Sequence, residues 1–301
     1  MSDEKTKKSL VSKDEIKRRG QQAIELLHWA GRKMKGWPPG VAGYAGNLVG
    51  VFEEKRKHPD ADMMARAGVR IAQEQHNVDS IARQAGVGMS PEDIEKIPAI
   101  DEDWKASFMD EVKLVSDKEM RSLWANILRG KARDSNAFSK RTVKLVGEME
   151  KKEAEMFTHF CQFVVSGGPM IYDHRASVYN KQGRMFDILK HLDAIGLVST
   201  DTVAGYRLES KVPATMVSYF DKFVQLSLSK EKDQYFLQSG HALFTEAGRQ
   251  LLPICGAQAS DEFFAYLMEE WKTRNCKPKL LSPQEVLEFL FSQQHKPPPA
   301  S

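Results

Sequence analysis

The sequence predicts a mainly α protein with a smaller α+β part: an N-terminal and central helical bundle, then a winged-helix-like region, then C-terminal helices. Three observations carry that expectation. Apolar residues recur at three- and four-residue steps over much of the chain, the period of one helix face. Helix-start signatures stand ahead of several of these runs. Between Leu197 and Phe244 the pattern changes to alternation and aromatic runs, the mark of strands.

Residues 1–35 hold ten Lys or Arg against five Asp or Glu, and a helix is expected from about Lys13 to Lys35. Ile16, Ala23, Ile24, Leu27 and Met34 form its apolar side, with Lys17, Arg18, Arg32, Lys33 and Lys35 around the rest. Gly36 to Phe52 follows, uncharged, Gly-rich and carrying Pro38 and Pro39. A basic amphipathic helix beside a neutral segment suits an anionic membrane surface, with Gly46 and Gly50 permitting close helix approach. The stronger reading is a Gly-rich connection, because the segment falls short of the roughly 20 apolar residues that a spanning helix needs.

Ile71, Val78, Ile81, Ala82 and Ala85 predict a helix over Val69 to Ala85, stopped by Gly86 and Gly88, with His76 and Asn77 as solvated or capping neighbours. Ser90-Pro91-Glu92-Asp93 starts a short helix with Pro at its first position. Asp101 to Asp103 precede the stripe Trp104, Phe108, Val112 and Val115, where their charge favours the helix N-terminus and Asp101 or Asp103 caps it. Ser116-Asp117-Lys118-Glu119 reads as a capping box for a helix carrying Met120, Leu123, Trp124, Ile127 and Leu128, ended at Gly130. Phe138 before a Ser139 cap is staple-spaced from Val143, and Val143, Val146 and Met149 continue that helix. Ala154, Phe157, Phe160, Cys161 and Val164 outline another, closed by Gly167, Gly168 and Pro169.

Within this block the order Asp103-Trp104, Phe108, Val115-Ser116-Asp117, Met120, Leu123-Trp124, Ile127-Leu128, Phe138-Ser139, Arg141-Thr142 and Glu153-Ala154 resembles the bacterial family called domain of unknown function 2806. More distantly it is similar to the abortive-infection alpha proteins, which follow a related helical block with a small helix-and-strand region. The resemblance implies an uncharacterised bacterial intracellular protein, with a place in phage defence as an expectation, and it transfers no catalytic residue.

In the second half, Met185, Ile188, Leu189, Leu192 and Ile195 form a stripe ended by Gly196. Leu197-Val198-Ser199 then begins a strand, and Gly205-Tyr206-Arg207-Leu208 reads as its return across a turn, the helix-then-wing pattern of a winged helix. Val217 to Leu228 and Tyr235-Phe236-Leu237 supply further strands, and Thr245 caps a helix bearing Leu251, Leu252 and Ile254. Ser260 caps the next helix, with Phe263, Phe264, Leu267, Met268 and Trp271 inward; Ser282-Pro283-Gln284-Glu285 is a capping box for the last, with Val286, Leu287, Phe289 and Leu290. The Pro-rich end, 296–301, is expected to be disordered. The expected divisions are 1–60, 61–166, 167–256 and 257–301.

At 301 residues, 41% hydrophobic and 28% charged, the chain has ordinary globular composition, and a net charge of +3 is too mild to coat the surface for nucleic acid. Cys161, Cys255 and Cys276 are an odd, widely spaced set, the pattern of reduced thiols in a cytoplasmic protein. Residues 1–9 do not read as a signal peptide. None of the eight histidines pairs at metal-ligand spacing on a helix, and no phosphate-binding loop, dinucleotide fingerprint or nucleophile elbow is present. No catalytic residue, metal or cofactor is therefore expected.

The leading expectation is a non-enzymatic component that binds a protein partner or a second copy of itself. The alternative is a winged-helix DNA-binding regulator, with Arg184, Lys190 and His191 off the apolar stripe of the helix before the wing and Arg175, Lys181 and Arg207 near enough to reach phosphates. Asp187 and Asp193 on the same helix weaken that charge. A membrane-associated effector acting through residues 16–52 is the second alternative.

Overall fold

The computed structural model describes residues 61–294 other than 182, 202 and 232. The basic helix and Gly-rich segment expected within residues 1–60, the membrane reading built on them, and the Pro-rich end lie outside the described residues. The fold is mostly helical, with short antiparallel strand pairs in the second half. It divides between Lys151 and Lys152 into two compact units.

The first unit contains α1 (Ala61–Val87), α2 (Pro91–Lys96), a 3-10 turn (Ile97–Ala99), α3 (Glu102–Val112), α4 (Lys118–Arg133) and α5 (Lys140–Glu148). The apolar stripes face one another: α1 packs on α4 and α3 on α5. The Trp104 ring stacks on Phe108 at 5.1 Å, which meets Trp124 edge-on at 5.5 Å, and all three are fully buried. The Trp104 indole satisfies its polar edge by donating Nε1–H to the Phe138 carbonyl at 2.6 Å.

Several helix starts are as read from the sequence. Ser90 and Asp93 form a reciprocal capping box, Asp101 accepts from the Trp104 amide and Ser139 from the Thr142 amide. Two details differ. The cap of α4 is Asp117, whose carboxylate accepts from the amides of both Glu119 and Met120. One carboxylate there satisfies two orphan amides, which a hydroxyl at Ser116 would not. Gly130 does not end α4, which runs on to Arg133; its missing side chain leaves room for the Phe138 ring. Asn77 is buried rather than solvated: its Nδ2 donates to the Lys113 carbonyl at 2.9 Å and its Oδ1 accepts from Arg121 at 2.7 Å.

The second unit takes in α6 (Lys151–Phe160) from its second residue, a 3-10 turn (Cys161–Phe163), then the hairpin β1 (Val164–Val165) and β2 (Gly168–Pro169). A 3-10 turn at Ser177–Tyr179 precedes α7 (Met185–Ala194) and β3 (Val198–Thr200). Five strands follow: β4 (Tyr206–Ser210), β5 (Ala214–Tyr219), β6 (Lys222–Ser227), β7 (Ser229–Glu231) and β8 (Gln234–Gly240). β9 (Ala242–Phe244), α8 (Glu246–Leu251), a 3-10 turn (Leu252–Ile254), α9 (Asp261–Thr273), β10 (Lys279–Leu280) and α10 (Pro283–Gln294) close it. Its centre is an aromatic cluster in which Phe163 meets Tyr179 and Phe263 at 5.0 Å, and Tyr219 meets Phe263 at 5.5 Å. Thr245 and Ser260 cap α8 and α9, and Ser282 with Glu285 boxes α10. Lys279, with help from Ser282, holds the Glu285 carboxyl down to about 2.

The expected hairpin joining 197–199 to 205–208 is not formed. β3 pairs instead with β9, while β4 pairs with β8. The turn signal at Gly205 is real, with φ +69°, but it does not fold β4 back on β3. The Asp201 amide donates to the His241 carbonyl and so continues the β3–β9 ladder before the chain leaves. The Asp201 carboxylate then takes the Val203 and Ala204 amides, turning the chain into a separate sheet of order β4-β8-β7. Likewise the alternation over 217–228 is two strands, β5 and β6, broken by a tight turn at Phe220-Asp221.

Candidate functional site

Among the described residues, no group of three His, Cys, Asp or Glu side chains comes together to hold a metal ion. Asp101 is spent on the α3 cap and Asp103 pairs with Lys140 at 3.4 Å. Two surfaces of the second unit remain: the outer face of α7, and a cleft beside the β4-β8 sheet.

Helix α7 buries Met185, Ile188, Leu189 and Leu192, which turns Arg184, Phe186, Asp187, Lys190 and His191 outward. Five of the six cations expected to face phosphates are answered from within the chain. Arg184 pairs with Asp187 at 2.8 Å and His191 with Glu153 at 2.7 Å. Arg175 pairs with Asp173 at 3.0 Å and holds that carboxyl below its usual range; Lys181 pairs with Glu262. Arg207 is shared by Glu231 at 2.7 Å and Glu209 at 3.6 Å. Lys190 is exposed and makes no ion pair among the described residues. Beside it stands Phe186, 43% exposed, its ring 5.5 Å from that of His174. The face is thus close to neutral, with an aromatic group at its start.

The cleft, about 450 Å³, lies among Tyr172, Tyr206, Arg207, Phe236, His241 and Arg274. Two guanidinium groups lie over aromatic rings, Arg274 over Tyr172 at 4.2 Å and Arg207 over Phe236 at 5.4 Å. Arg274 is steadied by Glu270 at 3.2 Å and by Gln238 at 2.5 Å. Trp271 Nε1–H donates to the Tyr172 hydroxyl at 3.1 Å, which donates in turn to the Gln238 carbonyl at 2.9 Å. Burial pushes the Tyr172 hydroxyl well above its ordinary range, so it stays a neutral donor. His241 Nδ1–H donates to the Asp201 carbonyl at 2.8 Å. A backbone without a side chain is required at one wall: Gly240, φ +99°, abuts the Ile171 carbonyl and bridges to it.

No nucleophile stands beside a base here, and each Arg has its carboxylate. Stacked Arg and Tyr side chains in a half-open setting are the residue types that anchor protein interfaces. A family model described as "Protein of unknown function (DUF2806)" matches residues 63–268. The chain belongs to this family. No curated protein and no solved structure matches it. The DUF2806 match runs from α1 into α9 and so takes in α7 and the β4-β8 sheet, though Trp271 and Arg274 fall beyond it. The helical stripe turns Trp271 inward, as the sequence predicts, but no local signal marks Arg274, Tyr172 or His241, which long-range pairing gathers. Phe186 was legible in principle: a lone aromatic off the α7 stripe.

Proposed function

We propose that this DUF2806 protein is a non-enzymatic interaction component that binds a protein partner, or a second copy of itself, through the outer face of α7 and the adjoining sheet. The observation that carries the reading is the internal pairing of Arg175, Lys181, Arg184 and His191 on the helix that exposes Phe186 and the segment before it, with Arg207 on β4 paired likewise. A phosphate-binding face needs cations free to displace counterions, and each of these would first have to break a pair. A neutral face with an aromatic anchor fits a protein surface better. From the resemblance of the helical block between Asp103 and Ala154 to abortive-infection alpha proteins we infer a bacterial, cytoplasmic setting in a phage response. Tagged full-length protein, purified with and without phage challenge, is expected to carry a stoichiometric partner or to run as a defined oligomer, and Phe186→Glu is expected to lose it. A monomer that recovers nothing in either condition, or equal recovery by the variant, overturns the reading.

A winged-helix DNA-binding regulator is the second reading, favoured by the order α7, β3, a long excursion through β4 to β8, then β9 beside β3, which puts the excursion where a wing would stand. Unpaired Lys190 also favours it. On that reading the double change Arg184→Ala with Lys190→Ala reduces affinity for duplex DNA and flattens its salt dependence. Unchanged binding removes it.

A further inference from the structure

We propose that the outer edge of β4 pairs with the same edge of a second copy of this chain, antiparallel and about a two-fold axis at Leu208, joining two three-stranded sheets into one. The pairing rests on the reading of this protein as an interaction component and names the second copy as what the sheet takes. β4 ends the sheet of order β4-β8-β7, so one side of its backbone has no ladder partner among the described residues. Other edge strands are less available. β7 and β10 run three and two residues, and β5 is met by Ser166, whose amide donates to the Ser218 carbonyl at 2.8 Å. In the middle of β4, Arg207, Leu208 and Glu209 are all exposed. Leu208 is 51% exposed although Leu237, beside it across the ladder, is 3% exposed in the core. An apolar row thus reaches the open edge and stops there.

The order of residues along β4 decides what fits that edge. In an antiparallel pair, directly opposed side chains point to the same face. A two-fold axis at Leu208 sets it against the partner's Leu208, Arg207 against the partner's Glu209, and Glu209 against the partner's Arg207. The strand is therefore self-complementary: one face carries two opposed ion pairs, and the other carries the Leu208-Leu237 row across the axis. Within one copy, Arg207 and Glu209 already share a face at 3.6 Å, and Glu231 holds a further Arg207 nitrogen at 2.7 Å. A guanidinium has five N–H donors, so Arg207 can still take a second carboxylate. Moving the axis by one residue would set Arg207 against Arg207 or Glu209 against Glu209, so charge fixes the register. The register shift between Tyr206 and Arg207 falls at the start of β4 and leaves Arg207 to Ser210 regular. β7 offers no such match, because Lys230 is at its centre and would oppose itself.

The test is sedimentation equilibrium of the full-length protein over a concentration series, with circular dichroism to check that each variant is folded. The wild type is expected to run as a monomer–dimer equilibrium. Arg207→Glu and Glu209→Arg should each weaken the dimer by about tenfold, since each turns two opposed pairs from unlike to like. Both changes in one chain should restore it, and so should mixing the two single variants, because every opposed pair is then unlike again. A merely structural role of either residue gives no recovery on mixing. Leu208→Cys should form an intermolecular disulfide, seen by non-reducing peptide mapping, because opposed residues of an antiparallel pair have Cα atoms about 4.5–5.5 Å apart. Ser210→Cys should stay unlinked, its counterpart lying about 14 Å away along the strands. A monomer at every concentration, single variants that dimerise as the wild type does, or no link at residue 208 overturns the pairing. So does a dimer lost in Phe186→Glu but untouched by both charge variants, which leaves the α7 reading standing. The Leu208→Cys mapping decides the register even if Arg207→Glu fails to fold.

Discussion

His159 is buried on α6 with its ring edge-on to Phe163 at 5.3 Å, and neither ring nitrogen has a partner of normal hydrogen-bond geometry. Burial pushes its imidazole below the ordinary range, with only partial offset from the nearby Tyr179 backbone. The sign of the consequence follows from linkage. The unfolded chain takes up the proton at the ordinary value near 6.5 while the folded chain resists it, so stability is whole above that pH and declines as pH falls below it. His159→Phe keeps the ring packing and removes the titration. Its melting temperature should therefore fall less than that of the wild type between about pH 7 and pH 5. Equal slopes in the two proteins would remove His159 as the acid-sensitive group. The same scale explains what was legible at the basic positions. Their identities and their outward placement on α7 could be read, but Glu153, Glu231 and Glu262, which neutralise three of them, come from distant segments.

Among the elements, α4 shows two local signals resolved by tertiary context. Its N-terminus could be read to within a residue because a cap is local chemistry: a side-chain oxygen and amides two or three positions on. Its C-terminus could not, because a glycine suited to ending a helix also serves where another ring must approach. Gly130 does the latter for Phe138, whose carbonyl is held by the Trp104 indole. Helix propensity favours Gly130→Ala by about 1 kcal/mol, whereas forcing a methyl into a packed site costs about 1–3 kcal/mol. With the Phe138 backbone pinned, overpacking should win, and Gly130→Ala should lower stability by about 1 kcal/mol or more in urea unfolding. A stabilised variant would mean that the Phe138 ring swings aside. At α7 the apolar stripe was read correctly, and it is the reason that Phe186 and Lys190 face outward.

For the molecule as a whole, the division at Lys151 and Lys152 gives each part its own core: the Trp104-Phe108-Trp124 stack in one, and the cluster around Phe163, Tyr179, Tyr219 and Phe263 in the other. A polypeptide beginning at Glu150 and running to the end should accordingly fold alone and melt in a single cooperative transition, since its cluster draws only on residues it contains. A broad, non-cooperative melt would show that this cluster is insufficient. Among the described residues no helix is long and apolar enough to cross a membrane.

From the sequence alone came the helices, most of their caps, the family and the change to strands after α7, because helical period and capping depend on neighbours within a few residues. Tertiary structure decided which strands pair. β3 takes β9 and not the nearer β4, because the Asp201 amide extends the β3–β9 ladder while its carboxylate turns the chain away. Tertiary structure also decided which carboxylate answers each basic side chain. Such pairings join residues tens of positions apart, and no local periodicity records them.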